Sequence, residues 1–489
     1  MKRQLIIALT VVVFSYILIR SLHYSQFVYA QSSSVIKPTK LSIIYTSPQS
    51  ENTGVALTPA AAAQKFQVAV WARNQGTASL PAYLTAGFTG IAVQYYILNE
   101  ALSAPPTFTD VVPTASTPYC TSTEKNYQAY SSNIDSFKGD FCLIHDSIIG
   151  RLHNDAAKKF DHDLDPATPP IWADETWFVH RTDTGRRYIS TGQIGKQFYA
   201  NHNHPDWQAY FTARCLEQMH GSPRYPSFGM NGIYLDNLDL SWRRYTNMGS
   251  TPKEFAASSD FVQSEINFVS HLYSALHTNG NNFLLFANLT EGSDSGSDWD
   301  QFTSILDGGL QEDFLLNWGR GPYSSTIALN QFRQAEKWIG AGRHYMAVAP
   351  GNMWYSRTRF DREALYTLAG QLLVTDGTRT SFKYYNDYGD PAGSRTQYYE
   401  QFYDYPEYYY QLGLPLGPRY QYTTNPLVYK RDFACGQVSV DFTAITGTIT
   451  QSTCQTSSFK QIILDYLKNS PASDLNHDGK VNIIDAFWL

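Results

Sequence analysis

Eight short runs of β-branched and aromatic residues recur along this chain, and most are separated by segments of helical spacing. The runs are Phe66–Ala72, Gly90–Ile97, Thr176–Arg181, Gly232–Asn237, Phe283–Asn288, Gly308–Phe314, His344–Pro350 and Ser381–Asn386. Between two of them, Ser259–His277 places Phe261, Val262, Ile266, Val269, Leu272, Tyr273 and Leu276 on one helical face. Strands that alternate with helices pair in parallel, and eight such units predict closure into a (β/α)8 TIM barrel. An open doubly wound sheet is the competing arrangement, but no Gly-rich phosphate loop follows an early run.

The flanks bound the barrel. Residues 1–30 carry Lys2 and Arg3, then the mostly apolar Leu5 to Ile19, then Val28-Tyr29-Ala30 before a Ser-rich stretch. This is the layout of a secretory signal peptide, with an uncleaved N-terminal anchor as the alternative, since the apolar run falls short of the roughly 20 residues of a usual span. Either reading puts the bulk of the chain outside the cytoplasm, secreted or at the cell surface. Residues 31–64, rich in Ser, Thr, Pro and Ala, read as a linker, and residues 65–415 as the barrel domain. Asn99 to Ala173 is a long excursion between the second and third runs. Residues 416–450 contain two alternating runs around Ala434-Cys435-Gly436, a β-hairpin in a small appendage. Cys120 with Cys142 and Cys435 with Cys454 can close loops of about twenty residues, each worth about 3 kcal/mol. Cys215, at helical spacing, is left over as a buried small residue.

Composition narrows the ligand. Charged residues are 16 % of the chain, the net charge is −6 and no Lys/Arg cluster stands out, which argues against a nucleic-acid partner. Thirty-five tyrosines with so little charge favour neutral polar ligands.

A parallel barrel delivers the last residues of every strand to one face, so carboxylates distant in sequence converge there. The fourth run ends in Asp236, Asn237 and Asp239; the fifth in Asn288, with Glu291 beyond; the sixth offers Glu312 and Asp313. Glycosidic cleavage needs one group to protonate the leaving oxygen and another to act as nucleophile or to activate water. Asp236 and Glu312 are the expected pair, with Asp313 and Glu291 as rivals for the acid. A lone Asp at a strand end is more often a cap or an ion-pair partner, so the weight lies on two acidic ends with Asn288 between them. Strict alternation lets only one of Asp236 and Asn237, and one of Glu312 and Asp313, face the cavity. Trp71, Tyr95, Trp177, Trp318, Trp354, Tyr384 and Tyr385 offer rings on which a sugar can stack, although any of them can equally fill core. His180 and Arg181 are candidates to hold hydroxyls or a substrate acid. With Asn237 and Asn288, the residues Trp71, Tyr95, His180, Arg181, Trp318 and Tyr384 form the expected substrate-binding set.

The stretches W-F-V-H-R-T-D-T-G-R-R (Trp177–Arg187), H-P-D-W-Q-A-Y (His204–Tyr210), G-I-Y-L-D-N, G-G-L-Q-E-D-F and V-Y-K-R-D-F-A-C-G-Q-V-S-V occur in this order. In them the chain from about Phe66 to Phe442 resembles hypothetical glycosyl hydrolase family 15 and, more distantly, endo-α-1,4-polygalactosaminidase-like barrels. The resemblance implies a TIM barrel and a glycosidase-like site with Asp236 on the fourth strand. Asn231 is a departure, since D-G-I is more usual there than N-G-I. The expected function is hydrolysis of an extracellular polysaccharide, with no cofactor for catalysis. The alternative is a barrel that binds carbohydrate, or assembles at the cell surface, without cleaving it.

Within residues 456–489, Asp474, Asn476, Asp478, Asn482 and Asp485 occupy positions 1, 3, 5, 9 and 12 of a twelve-residue loop. Gly479 stands at 6 and the Lys480 carbonyl at 7, the oxygen set of an EF-hand-like Ca2+ site. The segment looks like one dockerin type I repeat. It implies structural calcium and, by that resemblance, a cohesin-like or cell-surface partner.

Overall fold

The computed structural model describes residues 41–44, 49–50, 55–56, 66–71, 87–97, 102–103, 176, 178–190, 197–221, 227, 229–290, 298–317, 321–351, 357–386, 401–402 and 405–453. The expected signal peptide, Cys120, Cys142, Cys454 and the calcium loop lie outside them.

Seven strands form a continuous parallel sheet: β2 (Phe66–Trp71), β3 (Ile91–Ile97), β4 (Gly232–Asp239), β5 (Leu284–Thr290), β6 (Gly308–Gln311), β7 (His344–Gly351) and β8 (Thr380–Asn386). A short eighth, β1 (Leu41–Ile44), closes the barrel by setting Leu41 opposite both Phe66 and Phe382. The outer helices include α1 (Pro205–His220), α3 (Ser258–His277), α4 (Ser325–Gly340) and α5 (Arg357–Val374), and a five-residue α2 (Arg243–Asn247) follows β4.

Two expectations change here. Leu41–Ile44, inside the segment expected to be linker, is a barrel strand, and Thr176–Arg181 is not. The turn after it, with Gly185 at φ 69°, sends the chain straight back, so Phe178, His180 and Arg181 pair antiparallel with Ala200, Arg187 and Pro252. A parallel barrel strand must instead feed a crossover. The resulting meander is covered by Val179, Tyr188, Tyr199, Tyr245, Phe255 and Phe261, a buried cluster of its own.

Inside the barrel, Val68, Val70, Val93, Tyr234, Phe286, Leu310, Met346 and Val348 pack into one plug. Gly308 makes room for it, because a Cβ there would lie 2.2 Å from the Phe286 ring. Outward-facing Ile233, Leu235, Leu285, Ala287, Tyr345, Ala347 and Phe382 meet the helices. Of the expected stripe of α3, Phe261, Val269, Leu272 and Leu276 are buried and Val262, Ile266 and Tyr273 partly so, while Phe268 and Glu265, not expected in it, are buried too. Asn231 serves the register: it exchanges N–H···O bonds with Ala92 through both backbone and side chain, at 2.7 and 2.8 Å, and accepts the Leu284 N–H at 2.8 Å.

The appendage is a four-stranded antiparallel sheet, β9 (Tyr420–Thr423), β10 (Val428–Phe433), β11 (Gly436–Asp441) and β12 (Thr446–Gln451), with the expected hairpin as β10–β11. Cys435 is held in a disulfide, and Cys215 is buried on α1 outside any disulfide. Arg431 fastens the sheet to the barrel. Its Nη1 donates to the carbonyls of Leu373 and Thr375 at 2.9 and 2.7 Å, at the negative end of the α5 dipole, and its Nε donates to Gly417 at 2.8 Å. Burial pushes its pKa down to about 10, with the carboxylates of Glu336 and Asp376 opposing, so it stays charged at neutral pH. Removing it strands several carbonyls. Arg431→Ala should therefore lose about 3 kcal/mol of unfolding free energy by urea denaturation. A loss indistinguishable from zero would show that the appendage is fastened by other contacts.

Candidate active site

The plug ends one layer below the mouth of the barrel. One pleat beyond Tyr234, Phe286 and Leu310 stand Asp236 on β4, Asn288 on β5 and Glu312 just past the end of β6. Asn288, 1 % exposed, joins the other two: its Nδ2 donates to Asp236 Oδ1 at 2.9 Å and to Glu312 Oε2 at 2.6 Å. An amide's two N–H bonds diverge by roughly 120°, which puts the two acceptor oxygens about 5 Å apart.

The end of β4 departs from strict alternation. Leu235 pairs with Ala287 and Leu238 with Leu289, so Asp236 and Asn237 together oppose the single residue Asn288. This is a β-bulge, with Asn237 in the left-handed region at φ 58°. Asn tolerates that region better than most residues. The bulged N–H of Asn237 donates to Asp236 Oδ1 at 3.0 Å. Its side-chain oxygen accepts from Arg244 Nη2 at 2.9 Å, and Arg244 also forms a two-bond fork with the buried Asp239 at 2.8 and 3.1 Å. Asn237, expected in the substrate set, braces the strand end.

At the end of β6 the two acidic residues diverge. Glu312 is half-buried and meets Asn288, whereas Asp313 accepts hydrogen bonds from Gln311 and Tyr323. Burial, and then the Asp313 charge, push the Tyr345 phenol well above its ordinary range. Leu315, buried at φ 61°, marks the sharp turn that follows.

The remaining expected residues have varied places. Tyr384 faces outward, not into the mouth: it is buried against Phe360 with its hydroxyl donating to the Phe360 carbonyl at 3.0 Å. In β8 the even-numbered positions Phe382 and Tyr384 belong to the helix-facing layer. His180 bonds Glu254 through Nδ1 at 2.6 Å and through its backbone N–H at 2.9 Å. Arg181 pairs with Asp183 and donates to the Met248 carbonyl at 2.8 Å. These contacts tie the meander to residues 248–254. The side chains of Trp71, Tyr95 and Tyr385, and all of Trp177, Glu291, Trp318 and Trp354, lie outside the described residues.

One buried pair went unforeseen. His202 Nδ1 and Glu265 Oε1 are 2.6 Å apart, both almost fully buried, with the imidazole stacked on Phe268. Burial raises the pKa of Glu265, against the pull of His202. A carboxylate four residues after Phe261 and four before Val269, on the apolar stripe of α3, was the available signal.

Residues 156–437 match hypothetical glycosyl hydrolase family 15. The chain belongs to that family. The match takes in Asp236, Asn288 and Glu312 and ends at the start of β11, so the family's domain includes part of the appendage. No curated protein matches the chain. Among solved structures, it is similar to the glycoside hydrolase domain of PelA from Pseudomonas aeruginosa, with 11 % identity over 68 % of this chain and 90 % of that one at a TM-score of 0.34. Amy13B of Eubacterium rectale gives 10 %, 83 %, 86 % and 0.39, and a β-L-arabinopyranosidase from Geobacillus stearothermophilus gives 11 %, 83 %, 84 % and 0.36 for the same quantities. Likenesses this distant lend nothing to the reading of the site, which rests on its own residues.

The Asn288 bridge makes a prediction that needs no substrate. Asn288→Ala should cost about 1–3 kcal/mol, because two neighbouring carboxylates lose a shared donor. Asn288→Asp should cost more, since it sets a third carboxylate against them. The order of urea midpoints, wild type above Ala above Asp, checks this; an Asp variant as stable as wild type would contradict the bridge.

Proposed function

We propose that this barrel hydrolyses glycosidic bonds of an extracellular polysaccharide or oligosaccharide with retention of anomeric configuration. The observation that carries the reading is the single Asn288 amide shared by Asp236 and Glu312. Carboxyl groups about 5 to 5.5 Å apart suit a double displacement, whereas inversion requires roughly 6.5 to 9.5 Å to admit a water.

The roles follow from the surroundings. Asp236 Oδ1 accepts two N–H bonds, from Asn237 and Asn288, and donors of this kind favour an ionised carboxylate. Asp236 is accordingly the nucleophile, attacking the anomeric carbon as the bond to the leaving oxygen breaks. Glu312, less enclosed, gives its proton to that oxygen. In the second half it takes a proton from water, which attacks the anomeric carbon and frees Asp236.

The test is the anomer first released, followed by proton NMR on a polysaccharide panel. Retention is expected, and net inversion would exclude the covalent route. Asp236→Asn should lower kcat by roughly 10,000-fold or more, and Glu312→Gln by about 100- to 10,000-fold on substrates with poor leaving groups, both with Tm nearly unchanged. Binding without release of reducing ends by wild type would favour a non-catalytic carbohydrate-binding barrel.

The proposal extends to the flanks. An exported or membrane-tethered location fits the N-terminal layout, and the oxygen-only donor set of Asp474, Asn476, Asp478, Lys480, Asn482 and Asp485 fits structural Ca2+, with a cohesin-like or cell-surface partner as its use. Calcium titration calorimetry of the full chain should show one site that is lost in the Asp474→Ala, Asp478→Ala double variant. Binding that survives both changes would refute the loop.

A further inference from the structure

We infer that Arg244 is a positioning residue for Asp236, acting through the bulge at Asn237. The inference rests on the proposed role of Asp236.

The strand end has to solve a geometric problem. A regular β4 would present Asp236 and Asn237 to opposite faces and give Asp236 no donor from its own chain. The bulge turns the Asn237 peptide so that its N–H reaches Asp236 Oδ1 at 3.0 Å. That conformation places Asn237 at φ 58°, a backbone state that costs a residue with a side chain some free energy, less for Asn than for most, and that neighbouring contacts help to hold. Arg244 supplies such a contact. Its Nη2 takes the Asn237 side-chain oxygen at 2.9 Å, while its Nε and Nη2 grip both carboxylate oxygens of Asp239.

The grip is firm for a specific reason. Asp239 is 1 % exposed, and its two-bond fork fixes the guanidinium in the plane that also meets Asn237. One cation on α2 thus clamps the residues on both sides of Leu238, and the slack that would let Asp236 swing is removed. A lysine can neutralise Asp239 but lacks the planar fork that holds both partners in one geometry.

The experiment follows the Asp236 carboxyl directly. Full-length protein carrying 13C-labelled aspartate is titrated by NMR, with the Asp236 signal assigned by its loss in Asp236→Asn. In Arg244→Lys and in Asn237→Ala, which removes the acceptor for Arg244 and disfavours φ 58°, the titration midpoint should rise by about one pH unit, the tenfold change in proton affinity expected when one charge-assisted hydrogen bond is lost. On a saccharide that wild type hydrolyses, kcat should fall about tenfold with KM unchanged, because an interaction that orients the reacting group is lost rather than substrate binding. Folded variants whose Asp236 midpoint and kcat both match wild type would overturn the inference. Should Arg244→Lys fail to fold, Asn237→Ala decides, since it leaves the Arg244–Asp239 pair intact. The midpoint needs no substrate: if it moves while wild type hydrolyses nothing, the hydrolase reading fails and the positioning role stands. If wild type hydrolyses and the midpoint stays put, only the positioning role fails.

Discussion

Two carboxylates whose nearest oxygens lie about 5 Å apart repel, and a group between them that donates to both offsets that repulsion. In this barrel that donor is the Asn288 amide, and the rest of the site depends on it. Asn288 lies on β5 between β4 and β6, one pleat above the apolar plug, so its two N–H groups reach one neighbour on each side. The plug sets its height, because Phe286 fixes the layer below and Gly308 leaves that ring its room. Strand order, strand register and the packing of the layer beneath therefore all enter the carboxyl spacing.

A second constraint acts along β4. The bulge adds one residue at the point where the strand leaves the plug, and that residue supplies a backbone donor to Asp236 and a side-chain acceptor to Arg244. The short helix that follows returns Arg244 to the strand it has just left. The same turn brings Tyr245 into the tyrosine cluster that covers the meander. The region between β3 and β4 and the end of β4 thus share one packed layer, and the meander supports the strand end from outside the barrel.

Much of this was legible in the residues, and the misses have physical reasons. The period of strands and helices pointed to the barrel, and the acidic ends of two runs pointed to Asp236 and Glu312, which the structure brings to one Asn288 amide. Thr176–Arg181 misled because a β-rich run looks alike whether a turn or a crossover follows it; Thr182-Asp183-Thr184-Gly185 was the sign of a turn. Leu41–Ile44 was missed because a four-residue strand amid Ser, Thr and Pro has too few apolar residues to stand out. The two errors offset each other, so Asp236 kept its place on the fourth strand. Tyr384 was misplaced because its facing follows from register with β7, which pairs Ala349 with Tyr384 and turns both toward the helices. Arg244 could not have been found, since what makes it matter is a bulge that sequence periodicity does not reveal.

The choice of an amide at position 288 has a consequence for chemistry. A lysine or arginine between the two carboxylates would hold both of them ionised, because its charge favours the anion at either side. An amide donates without charge. It bonds a carboxylate more strongly, but it also bonds the carbonyl oxygen of a protonated carboxyl, so the bridge from Asn288 to Glu312 can persist while Glu312 gains and loses a proton. In the proposed double displacement Glu312 must be acid in one half and base in the other, and Asp236 must stay ionised until it attacks. A neutral donor shared by the two, with the extra donor from Asn237 given to Asp236, meets both demands with the spacing unchanged.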